Sequence, residues 1–169
     1  MTNAEYGIKM LMEVPREYVF YLRGTLATLD CIPPYMLEEG NQKFGLGIRL
    51  DEDLKSWSFR DRASRAKNQK AIEFIDTYDM EYEILIKDPT VKAILGHEGE
   101  RNIIMHRKPH FMQVSFIAMT PDERYEAVGK PTLHFMDKKG EPTKDEIPKT
   151  LSYCLSKLGE FRGCLAFGL

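Results

Sequence analysis

Cysteine is scarce in this chain: there are three in 169 residues, Cys31, Cys154 and Cys164, and none stands in a CxxC pair. A disulfide-stapled scaffold and a paired-cysteine zinc site are thereby excluded, and the three thiols read as small apolar side chains in a reducing compartment. Long apolar runs are also missing. None reaches ten residues, against the roughly 20 needed to cross a bilayer. The opening MTNAEYGIKM lacks the apolar block of a signal peptide. The expected location is the cytoplasm, that of a host cell if the protein is viral. An excess of one charge sign is absent too, with 24 Lys and Arg against 26 Asp and Glu. A polyanion sponge of the histone type is ruled out, so any polyanion site must be local. No repeat, low-complexity tract or Gly/Ser/Pro-rich linker divides the sequence. A chain of this length buries about two thirds of its unfolded surface, and residues 1–169 read as one domain.

Turn signals are plentiful: Pro33-Pro34, Glu39-Gly40-Asn41, Asp88-Pro89, Lys108-Pro109, Thr120-Pro121-Asp122, Lys139-Gly140 and Leu158-Gly159. Between them several stretches alternate. Tyr18, Phe20, Leu22, Gly24 and Leu26 predict a strand within residues 16–29, with Gly24 a bend. Phe44, Leu46, Ile48 and Leu50 predict a second, whose outer face carries Gly45, Gly47 and Arg49. HFMQVSFI from His110 and a shorter piece from Thr132 to Met136 read likewise. TLSYCLSKL and FRGCLAFGL predict a closing hairpin with Leu151, Tyr153 and Leu155 inside. One main helix is expected over about 60–79, where Ala63, Ala66, Ile72 and Ile75 lie near one stripe, with short helices over 89–96 and 3–13. Many short strands around one helix predict an OB-like, five-stranded Greek-key β-barrel with an inserted helix.

Catalytic patterns are thin. His106 and His110 are four apart, yet Lys108-Pro109 would break the helix that could align them on a metal. His-Phe-Met occurs at His110 and His134, but two-histidine phosphoesterases carry Ser or Thr where Met112 and Met136 stand. No serine sits in a GxSxG elbow. Phe44-Gly45-Leu46-Gly47 is half a dinucleotide fingerprint, and Asp51, Glu52 and Asp53 read as a solvated turn. No metal, no cofactor and no catalytic residue is expected, although an enzyme using His106, His110 or His134 as acid or base is a third option.

Charge patterning says more. KSWSFRDRASRAKNQK places Lys55, Arg60, Arg62, Arg65, Lys67 and Lys70 against Asp61, with Trp57 and Phe59 interleaved, and an acidic stretch from Glu73 to Glu83 follows. An isolated run of this kind is usually a solvated helix face. Two further clusters argue for more: Arg101 with His106, Arg107 and Lys108, and Arg23, Lys43 and Arg49 beside Tyr21, Gly45 and Gly47. Cations on strand faces and loops, mixed with Trp57, Phe59, Tyr21, Tyr35 and Phe111, suit a single strand of nucleic acid. Phosphates would be neutralised while bases stack on rings for about 1–3 kcal/mol each.

The order of these patterns resembles bacteriophage single-stranded DNA-binding proteins of the T7 type. The resemblance rests on YVFYLRGTLATL, FGLGIRL running into an acidic turn and a helix, HFMQVSFIAM, PTLHFMDKKGEP, and the closing TLSYCLSKL and FRGCLAFGL. It implies an OB-fold that coats single-stranded DNA during phage replication or recombination, in company with replication or recombination proteins. Such proteins end in an acidic tail, whereas this chain ends Ala166-Phe167-Gly168-Leu169. The expected site comprises Arg23, Lys43, Arg49, Trp57, Phe59, Arg60, Arg62, Arg65, Lys67, Arg107 and Lys108. Open sheet edges would permit a homodimer. The alternative function is a small viral protein that binds and inhibits a host complex, its nine methionines and many aromatics forming an adaptable contact surface.

Overall fold

The computed structural model describes residues 2–13, 18–49, 54–96, 99, 111–119, 125–136 and 141–166. Helix α1 (Asn3–Glu13) is followed by α2 (Tyr18–Phe44), α3 (Ser56–Arg65), α4 (Gln69–Lys87) and α5 (Pro89–Leu95). Strands β1 (Phe111–Met119), β2 (Tyr125–Met136) and β3 (Pro142–Glu146) come next, and α6 (Ile147–Ala166) follows directly. The expected OB-like barrel is overturned: the described residues are mainly helical, with one antiparallel sheet in the order β1-β2-β3. Helices stand at both ends of the strand order on which the phage resemblance rests.

The reason lies in which residues go inside. In α2 the buried positions Leu22, Leu26, Leu29, Pro33, Leu37 and Gly40 advance by four, three, four, four and three, the period of a helix. The alternating reading puts Phe20 on one face with Leu22 and Leu26, yet Phe20 is 74% exposed and both leucines are buried. In α6 the buried set is Leu151, Cys154, Leu158, Phe161 and Leu165, again three or four apart, while Tyr153 is exposed. The expected closing hairpin is therefore one helix. FGLGIRL is not a strand either: Gly45 and Gly47 hold left-handed φ of +61° and +65°, which a side chain would strain. Asn41 then clamps the chain, its amide donating to the Ile48 carbonyl at 2.8 Å and accepting from the Ile48 N–H at 3.1 Å.

The helix expected over 60–79 is two. Lys67, at φ +51°, turns the chain, and the Asn68 side chain caps α4 by accepting from the Ala71 N–H at 3.1 Å. The short helices expected over 3–13 and 89–96 are α1 and α5, and the strands expected from His110 and Thr132 fall in β1 and β2. In β2, Leu133 and Phe135 join the helical core. No helix among the described residues is long and apolar enough to cross a membrane.

Helices α2 and α4 approach closely at Gly40. A Cβ at Gly40 would lie 2.6 Å from Phe74 Cε1 and 3.2 Å from Phe59 Cε2. Phe44, Phe59 and Phe74 form a ring cluster there, with centroids 5.4–6.4 Å apart. Gly40→Ala should destabilise by about 1–3 kcal/mol through overpacking, read as a lower denaturation midpoint at unchanged m-value. An unchanged midpoint would show that the helices separate freely.

Candidate binding groove

Two consecutive prolines in the middle of α2 leave the carbonyls of Leu29 and Asp30 without the N–H donors that a helix would supply four residues on. Beside them the Tyr78 hydroxyl donates to the Pro33 carbonyl at 3.3 Å, from a buried position. Burial above all, then the neighbouring Tyr82 and Asp79, pushes the Tyr78 phenol well up, so it stays protonated as a donor. Tyr82 stacks on Tyr78 with centroids 5.8 Å apart and planes 12° from parallel, and Phe161 of α6 meets both rings edge-on. Burial and then Asp30 likewise raise the Tyr82 phenol.

Next to this seam lies a cavity of about 940 Å³, at the upper end of the range typical of ligand pockets. Its apolar lining includes Leu29, Pro33 and Leu37 of α2, Val91 of α5 and Leu158 of α6. The start of α3, Leu54 to Trp57, forms one lip, fixed by the Lys55 N–H donating to Ser58 Oγ at 3.1 Å. Ile86, Lys92 and Leu95 stand on the other side. Of the carboxylates at the rim, Asp79 accepts from Arg60 at 2.8 Å and Glu83 from Lys87 at 2.8 Å. Among the lining residues none is His or Cys. The walls thus offer apolar surface and ring faces, with Lys and carboxylate side chains among them.

The aromatic pair expected to stack bases is split. Trp57 is 68% exposed at the lip, whereas Phe59 is fully buried in the ring cluster. Residues two apart share a face on a strand, but on a helix they point about 200° apart. Arg60 is a brace between α3 and α4, donating to Asp76 and Asp79, and those bonds, Asp79 first, raise its pKa further. Lys43, Arg49, Arg62, Arg65 and Lys67 belong to segments that meet where α2 ends and α3 turns into α4, joined by Asn68 donating to the Phe44 carbonyl at 3.5 Å. Arg65 already donates to Asp61 at 3.0 Å. Arg23 is 20 residues back on α2, about 30 Å away at helical rise. Arg101, His106, Arg107, Lys108 and His110 lie outside the described residues, as do Asp51, Glu52 and Asp53. His134 has both ring nitrogens engaged: Nδ1 donates to the Thr143 carbonyl at 2.8 Å and Nε2 accepts from Thr132 Oγ1 at 2.9 Å. It ties β2 to β3. Among the described residues no group of three His, Cys, Asp or Glu side chains could hold a metal.

The groove escaped the sequence reading because Pro33-Pro34 reads as a turn. The available signal was Tyr78, Tyr82 and Ile86 at four-residue spacing, a stripe that outruns the expected helix end at Asp79.

Asp88 holds the α5 wall. Its carboxylate accepts from the Thr90 and Val91 N–H groups at 2.9 and 3.0 Å and from the Tyr153 hydroxyl at 2.7 Å. The Tyr153 bond foremost, then the Val91 N–H, lowers its pKa below the ordinary 3.8. A lowered carboxylate contributes stability that is complete above the unfolded value and lost as pH falls through the folded one. Asp88→Asn should therefore melt below the wild type at pH 7 and converge with it below pH 3.8. Parallel melting curves at both pH values would remove Asp88 from the wall. Comparison with protein-family models, curated proteins and solved structures returns no match for this chain.

Proposed function

We propose that the chain is a non-catalytic binding protein whose groove receives an apolar side chain presented by a partner protein. One observation carries this: the only tryptophan, Trp57, stands exposed at the lip of a large recess with an apolar floor. A rigid aromatic beside a desolvated pocket is the usual anchor of protein contacts. The paired rim carboxylates and the lack of His and Cys in the lining favour binding over chemistry.

A second reading, single-stranded nucleic acid held during phage replication or recombination, is supported by the five cations on the segments that meet at the α2–α3–α4 pole. It needs no barrel, since phosphate neutralisation requires only cations along a path. Against it stand the paired Arg60 and Arg65, and the separation of Trp57 from that pole by about 12 Å of α3.

Peptides selected by display on the immobilised protein, and fluorescent dT and rU oligonucleotides over a salt series, separate the two. The groove reading expects selected peptides to share an aromatic or large aliphatic anchor, to shift Trp57 emission, and to lose about tenfold or more in affinity, ~1.4 kcal/mol, on Ile86→Asp. Joint Arg62→Ala and Arg65→Ala replacement should leave them bound. Oligonucleotide binding with a salt slope that this double replacement flattens, together with failure of any anchored peptide, would overturn the groove reading in favour of the second.

A further inference from the structure

The side of α2 turned away from the core is as unusual as the groove. Counting 100° per residue from Leu22, the positions opposite the buried stripe are Phe20, Gly24, Ala27, Cys31 and Tyr35. A solvated helix face normally carries charge. Here the sixteen residues from Phe20 to Tyr35, about 22 Å of helix, present none on that line. Phe20 touches Tyr21 edge-on at 5.4 Å and is nevertheless 74% exposed; Tyr35 is 61% exposed. Between them Gly24 opens on empty space and Cys31 is exposed.

The arrangement is symmetric. Phe20 and Tyr35 are equally far from the point between Ala27 and Thr28, and so are Gly24 and Cys31. A two-fold contact needs a surface that matches itself when reversed. Laying two such helices antiparallel about that point sets Phe20 of each beside Tyr35 of the other. Small residues at the centre let the backbones approach closely, as small-residue positions do wherever helices pack tightly.

We propose that this outer face of α2 is a homodimer interface and that its occupant is the same face of a second copy of the chain, antiparallel across a two-fold axis. Area supports a second copy. Each ring exposes on the order of 130 Å² of the 150–250 Å² that aromatics carry, so four rings supply about half of the roughly 1,000 Å² a specific interface requires. Ala27 and Cys31 of each copy extend the contact. The face is distinct from the groove, which lies on the flank of α2, and the inference does not depend on what the groove binds.

Sedimentation velocity on the full chain up to about 100 µM, where a micromolar Kd would populate the dimer, tests it. The expected result is a dimer that Phe20→Glu and Tyr35→Glu each weaken tenfold or more at unchanged melting temperature, both sites being exposed. Because a charged replacement could disturb folding, a second arm uses Gly24→Cys in a Cys164→Ser background, with Cys154 buried out of reach. On treatment with diamide, which takes one hydrogen from each of two thiols, the introduced thiol should join the partner's Cys31 and give a covalent dimer; adding Cys31→Ser should abolish it. A wild-type monomer throughout the range, a dimer indifferent to both glutamates, or a cross-link that survives Cys31→Ser would each overturn the proposal.

Discussion

Helix α4 can lie against α2 only because α2 leaves openings for it. At Gly40 there is no Cβ to meet the Phe74 ring, and at Pro33 a carbonyl receives the Tyr78 hydroxyl. Going back along α2 from 40 to 33 to 30, the partners on α4 run forward through Phe74, Tyr78 and Tyr82, the last felt electrostatically by Asp30. The two helices are antiparallel along this seam. The groove is what remains beside it: α3 is tied to α4 through Arg60 and the ring cluster, α5 is hung from Asp88, and neither reaches across the proline pair. The recess therefore follows from the packing that stabilises the fold, and a substitution that opens the seam would reshape the groove with it.

Much of the middle of the chain was legible, because local signals there agree. Asp88-Pro89 starts a helix with a capping carboxylate and a proline in its first turn, and α5 begins there. The ends were misread for a definite reason. Apolar residues at alternate positions satisfy a period of two, while the same stretch holds a leucine set with the helical period. Only burial decides which set is the core. In α2 the decisive residues are Phe20, an aromatic outside, and Pro33, a proline inside. In α6 Gly159 suggested a break, yet it and Gly163 both open on empty space along the helix surface. They cost about 1 kcal/mol each relative to alanine, which the buried heptad-like row from Leu151 to Leu165 outweighs.

The candidate site was legible only in its parts. Trp57 and Phe59 were expected to act together, but i and i+2 neighbours separate on a helix, which leaves Trp57 outside and Phe59 in the core. The groove needs five parts of the chain that are distant in sequence, residues 29–37, 54–57, 78–87 and 91–96 together with Leu158. No local pattern brings those together.

Charge on this protein is spent locally, and that shifts recognition toward apolar contacts. Lys9 with Glu13, Asp61 with Arg65 and Glu83 with Lys87 pair within single helices at i,i+4, and Arg60 joins two helices through Asp76 and Asp79. Exposed pairs of this kind contribute about 0.3–0.5 kcal/mol each and project little field beyond a Debye length of ~8–10 Å. Among these described pairs cations and carboxylates interleave, so they add little to the steering of a distant partner. What the surface offers instead are Trp57 at the groove and Phe20 and Tyr35 on the outer face of α2, large rings left in water. Such rings gain by being covered, at roughly 25 cal/mol per Å². On that physical ground the two sides of one helix, its groove flank and its outer strip, are surfaces from which this molecule gains on contact.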